Sequence, residues 1–211
     1  MLVAPLQWIA AAMILASGVV TVRVDRFSLD VVGLLLLVWA AHTARTACSG
    51  RWARARWVAV SAVSVAAAIL SFAPPQNAAW GTLTEIADVA LFVTLVGALA
   101  GMTAEYAMST ARRWRTLSLL AWPAAASFAA VSIVTWRVGV PMAETAEGAW
   151  TEIGGARLAL PPWAWIVMIG GSVPLLAVGG FAIFAFVRTY REANAPFDPN
   201  SEASDVYSHR A

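Results

Sequence analysis

Six apolar runs dominate this chain, at residues 5–22, 29–44, 57–73, 83–104, 117–136 and 163–187. Each is close to the roughly 20 residues that a helix needs to cross a bilayer. Runs of this kind leave few structural solutions. In hydrocarbon every backbone N–H and C=O must be paired within the protein, so such segments fold as membrane-spanning helices. The composition agrees: 60% of residues are hydrophobic, 12% are charged and the mean hydropathy is +0.71, whereas roughly 25% of a soluble domain is charged. A length of 211 residues leaves no room for a separate soluble module. The expected fold is an all-α polytopic membrane protein. A bundle of six transmembrane helices fills residues 1–187, and a disordered cytoplasmic tail follows at 188–211.

The charges between the runs set an orientation. Arg45, Arg51, Arg54 and Arg56 follow the second run with no acid among them, Arg112, Arg113 and Arg115 follow the fourth, and Arg188 and Arg191 close the sixth. The positive-inside rule places these connectors in the cytoplasm. Residues 75–81 carry no charge, and the 137–162 connector sets Glu144, Glu147 and Glu152 against Arg137 and Arg157, as suits outside loops. One topology satisfies every loop: both termini cytoplasmic, in a plasma membrane. No arginine precedes the first run, which therefore reads as a retained span and not a signal peptide. All 14 basic residues are arginine, which fits the codon bias of a GC-rich bacterial genome.

Shorter signals punctuate the helices. Ser28 is an N-cap for the second run with Asp30 in its first turn, and Thr82 with Glu85 has the spacing of a capping box that starts the fourth helix near Leu83. Pro74-Pro75 ends the third run, and Pro123 should bend the fifth. In the long outside connector two short β-prone stretches flank Gly154-Gly155, the pattern of a small exterior β-hairpin between helices five and six. Trp150, Glu152 and Arg157 would present that hairpin to a partner. Thr43-Ala44-x-x-Ala47-x-Ser49 recurs as Thr103-Ala104-x-x-Ala107-x-Ser109, as a duplicated two-span unit would leave, although a chain rich in alanine and serine can repeat itself by chance.

Several chemistries are excluded. Without lysine there is no Schiff base to a cofactor and no P-loop. One cysteine, Cys48, permits no internal disulfide, redox pair or multi-cysteine metal site; it reads as an inert thiol or a palmitoylation candidate. Two histidines, His42 and His209, make a bis-histidine haem or a histidine-rich metal centre unsuitable. His42 reads as an interfacial polar residue or a proton relay. No metal site, cofactor or catalytic constellation is expected. The arginines adjoin apolar runs and the tryptophans gather near run ends, which points to the lipid bilayer as partner and not to nucleic acid.

The remaining candidates concern ions, solutes or packing. Asp88 is the ionisable group well inside a run. It can meet a cation, proton or substrate in an outward-facing cavity, or pair with Arg137 at the end of the fifth helix. Glu85 lies one helical turn before it. The sixth run is interrupted by Gly170-Gly171, Pro174 and Gly179-Gly180. It reads either as a partly unwound helix whose backbone and Ser172 meet a ligand, or as a simple kink at Pro174. Gly97 with Gly101, Ala12 with Ala16 and Ala125 with Ala129 give small-residue faces for close helix contact. The first functional expectation is a non-catalytic accessory subunit that binds a homo- or hetero-oligomeric membrane partner through helix faces and the exterior hairpin. The alternative is a small-solute or ion transporter, or its substrate-binding subunit, built on Asp88.

Overall fold

The computed structural model describes residues 2–16, 23–24, 27–72, 78–141, 150–153 and 156–195. Six helices carry most of them: α1 (Val3–Ala16), α2 (Leu29–Ala47), α3 (Arg51–Leu70), α4 (Ala78–Glu105), α5 (Ala111–Val138) and α6 (Pro162–Asn194). Short strands lie between them. β1 (Arg23–Val24) pairs with β2 (Phe27–Ser28), and β3 (Val140–Pro141), β4 (Trp150–Ile153) and β5 (Ala156–Ala159) form an antiparallel sheet in the order β3-β5-β4. In that sheet Trp150 stands opposite Ala159 and Ile153 opposite Ala156. The turn at Gly154-Gly155 and the side chains of Trp150, Glu152 and Arg157 lie outside the described residues.

Four helices are long and apolar enough to cross a membrane: α3, α4 from Trp80, α5 and α6. α1 is apolar, but its 14 described residues rise only about 21 Å against a hydrocarbon core of about 30 Å. The rest of the first expected run, and Ala16's side chain, lie outside the described residues. α2 has 19 residues, yet Asp30, His42 and Arg45 dilute its apolar character.

The helices extend past the apolar runs at both ends. α3 begins at Arg51 and not near Trp57, α4 begins at Ala78, five residues before Leu83, and α5 begins at Ala111. Thr82 is thus inside α4, and Glu85 is no capping residue. α6 runs unbroken to Asn194, so residues 188–194 are helical and not the start of a disordered tail; residues 196–211 lie outside the described residues.

Polar contacts explain these extensions. The Glu105 carboxylate at the end of α4 accepts from the Ser49 backbone N–H, from Ser49 Oγ at 2.6 Å and from the Gly50 N–H at 3.0 Å, and so caps the start of α3. Glu192, near the end of α6, accepts from the Ser109 N–H at 2.6 Å and from Ser109 Oγ at 3.0 Å at the start of α5. The repeated serines of the two sequence echoes therefore share a tertiary role. Beside the second cap, the buried Thr189 hydroxyl accepts from the Trp114 indole N–H at 2.8 Å and lies 3.0 Å from the Thr110 hydroxyl. Gln7 of α1 donates to Tyr190 of α6 at 3.2 Å. All of this gathers at one end of the bundle, together with Arg45, Arg51, Arg112 and Arg191. The strands lie at the other end.

Each helix packs chiefly against its neighbours in sequence, and α1 only lightly meets α6. The core centres on α4, where Val96, Leu99 and Met102 are buried along with Trp57 and Val60 of α3. Gly101 allows the close approach: a Cβ there would lie 3.1 Å from Arg56 Nη1 and 3.7 Å from the Ala53 Cα. Gly97 does not share that role, since a Cβ on it would meet nothing within 4 Å; its carbonyl instead accepts from Arg56 Nη1 at 3.0 Å. Ala12 is fully buried.

Candidate functional site

α4 carries Glu85 and Asp88 near the strand end of the bundle and delivers them to different cavities. Glu85 is about seven residues into the helix, roughly 10 Å along its axis. It faces a cavity of about 360 Å³ between α4, α5 and α6. α5 contributes Phe128, Val131, Ser132 and Thr135, spaced so that they share one helical face, and α6 contributes Met168, Ile169, Ser172, Val173 and Leu176 in the same way. The Ser132 hydroxyl hydrogen-bonds the Glu85 carboxyl. Ser172 Oγ donates to the Met168 carbonyl at 2.8 Å. α5 and α6 meet closely here, because a Cβ on Gly171 would stand 2.2 Å from Val131 Cγ2.

Asp88, three residues further on, lies on an adjoining face of α4. It lines a cavity of about 400 Å³ with Asp30 of α2, Ser71 of α3, Met13 of α1 and Thr84. It also borders a groove of about 530 Å³ between α4 and α6, where Phe92, Leu175, Gly179 and Gly180 form the wall. Asp30 and Glu85 are its charged neighbours. One carboxylate oxygen of Asp30 is buried with no hydrogen-bond partner among the described residues.

The expected partner of Asp88 is elsewhere. Arg137 is exposed, with its guanidinium 5.1 Å from the ring centroid of Trp136, and it makes no ion pair with Asp88. A cation at the last turn of α5 is favoured by the helix dipole and by the indole face, so no long reach across the bundle is needed. The sixth helix is continuous through Gly170, Gly171, Pro174, Gly179 and Gly180, so it is not unwound. Pro174 lacks an N–H for the Gly170 carbonyl, and the helix tolerates the loss with the proline exposed. Of the residues singled out in the sequence, Glu85 and Ser172 come together, while Asp88, Arg137 and Pro174 do not join them.

Ser132, Thr135 and Asp30 are the residues that sequence reading undervalued. Ser132 and Thr135 sit among apolar neighbours in a serine- and threonine-rich chain, and only their three-residue spacing and their shared position near the helix end could have marked them. At the arginine end, His42 is exposed, with its ring 6.4 Å from Trp39. Cys48 is buried in the α2–α3 turn, where desolvation and then the Glu105 carboxylate push its thiol up to about 11. Among the described residues no group of three or more His, Cys, Asp or Glu side chains could hold a metal ion. No protein-family model, curated protein or solved structure matches the chain.

Proposed function

We propose that this is a non-catalytic, six-span plasma-membrane protein, both termini and the arginine end cytoplasmic, that serves as a partner-binding subunit of a larger membrane complex. The observation that carries the reading is α6. Only 11% of its most apolar stretch is buried, and Gly170, Gly179 and Gly180 face open space where a Cβ would meet nothing within 4 Å. Glycine costs a helix about 1 kcal/mol relative to alanine, and lipid offers nothing in return. A second helix does, because small residues let two backbones approach. The groove beside Gly179 and Gly180 is thus a seat for a partner's helix, and the strands at the opposite end of the bundle from the arginines add an exterior contact. The test is the mass of the complex extracted from its native membrane in mild detergent. A stable second polypeptide that Gly179→Leu releases supports the proposal, and a bare monomer in wild type overturns it.

The second reading, a solute or ion carrier, is favoured by Asp88 and Asp30 across one cavity. A carboxylate oxygen buried without a hydrogen-bond partner calls for water or a cation. Uptake into vesicles that Asp88→Asn abolishes would establish that reading, and equal uptake in empty and protein-containing vesicles would remove it.

A further inference from the structure

The cavity between α4, α5 and α6 belongs to neither reading, and acceptors dominate its polar lining. No lining residue carries a positive charge, and Glu85 is the one ionisable group among them. The Ser172 proton is committed to the Met168 carbonyl at 2.8 Å and the Ser132 hydroxyl to Glu85. What these three side chains present to the space is lone pairs, carboxylate oxygens and two hydroxyl oxygens, and the Thr135 hydroxyl beside them can accept as well as donate. An anion would be repelled. An alkali ion is suited by a cage of oxygens, whereas most of the remaining wall is apolar, Phe128, Val131, Ile169, Val173 and Leu176 among it, with Thr135 the polar exception. A quaternary ammonium has no N–H to donate to these oxygens. A primary ammonium brings three N–H donors to these oxygens, and a short alkyl chain would lie on the apolar wall. The Phe128 ring adds a face suited to a cation, and about 360 Å³ is room for a ligand of this size.

From this geometry we infer that the Glu85–Ser132–Ser172 cavity is a binding site for a short-chain primary alkylammonium group. The group can arrive as a free amine or as the head of an ethanolamine lipid. The site stands whether or not the subunit reading holds.

The test titrates n-butylammonium chloride into the full chain in phosphatidylcholine nanodiscs and follows binding by calorimetry. Saturable binding is expected for butylammonium and not for butyrate, with tetramethylammonium and sodium weaker by at least about tenfold. Glu85→Gln is expected to weaken binding by about tenfold or more, since it removes a charge-assisted hydrogen bond. Ser172→Ala should weaken it less. A parallel series with phosphatidylethanolamine in the nanodiscs distinguishes the sources: displacement of butylammonium identifies the lipid headgroup, and an unaltered titration identifies a free amine. No saturation in wild type, equal affinity for tetramethylammonium, or unchanged binding in Glu85→Gln overturns the proposal. The ligand comparisons on wild type require no variant to fold.

Discussion

α4 and α6 are almost equally apolar, yet 56% of the membrane-crossing stretch of α4 is buried and only 11% of that of α6. In water such a difference would be written in the sequence, because an exposed face must be polar. In a bilayer both helices are surrounded by apolar atoms, so hydropathy stops reporting position. Packing decides instead. α4 buries Val96, Leu99 and Met102 and lets Arg56 and Ala53 of α3 approach Gly101, whereas α6 turns Ile166, Leu176, Phe181 and Phe184 outward. The central helix also carries Glu85 and Asp88, each of which lines a cavity shared with neighbouring helices.

The contrast can be broken most directly by truncation. Leu99→Ala, at a site 2% exposed, should lower stability by about 2–5 kcal/mol in denaturant unfolding of the detergent-solubilised chain. Phe184→Ala, at a site 77% exposed, should change it by no more than about 0.5 kcal/mol. Similar losses at both positions would mean that α6 is not peripheral. The α5–α6 contact is the exception on α6. Gly171→Ala places a Cβ against Val131, whose branched side chain has little freedom to move, and should cost about 1–3 kcal/mol by the same measurement.

At the arginine end the two capping carboxylates offer a balanced pair. Glu105→Ala and Glu192→Ala should each cost about 1 kcal/mol, and hydrogen exchange should quicken in the first turn of α3 for one and of α5 for the other. A cost at only one of them would show that the repeated serines are not equivalent. The smallest effect is expected where α6 is open: Gly179→Leu should leave the isolated chain as stable as before, or more so by up to about 1 kcal/mol, because a helix former replaces glycine in empty space.

Cys48 offers a probe that needs no substitution. With a folded-state value of about 11 against an ordinary 9.0, the protonated thiol favours the folded protein below pH 9.0, and that contribution is lost as pH rises through about 11. At neutral pH maleimide should not label the folded chain, and labelling should follow unfolding. Rapid labelling of folded protein would place the α2–α3 turn in the open.

The apolar runs and their length were enough to determine helices, because no other structure satisfies the backbone in hydrocarbon. Short-range signals were less reliable. Thr82 and Glu85 have the spacing of a capping box, but α4 starts at Ala78 and turns Glu85 toward Ser132, a residue 47 positions away whose approach no local pattern records. Asp88 and Arg137 have opposite charges and neighbouring helices, yet the arginine is satisfied locally by Trp136. Helix ends moved for the same reason: Glu105 and Glu192 hold turns that sequence alone assigns to a connector and a tail.

The sequence by itself determined the membrane class, the helical content and the absence of lysine and multi-cysteine chemistry, since these depend on composition and on a periodic backbone. Only the tertiary structure decided which helix is central, which acid meets which cavity, and that Ser132 and Ser172 face Glu85. Those pairings depend on the rotation of each helix about its own axis. In lipid, rotation is set by the fit of side chains on neighbouring helices, and the hydrophobic pattern that would reveal it in water is missing.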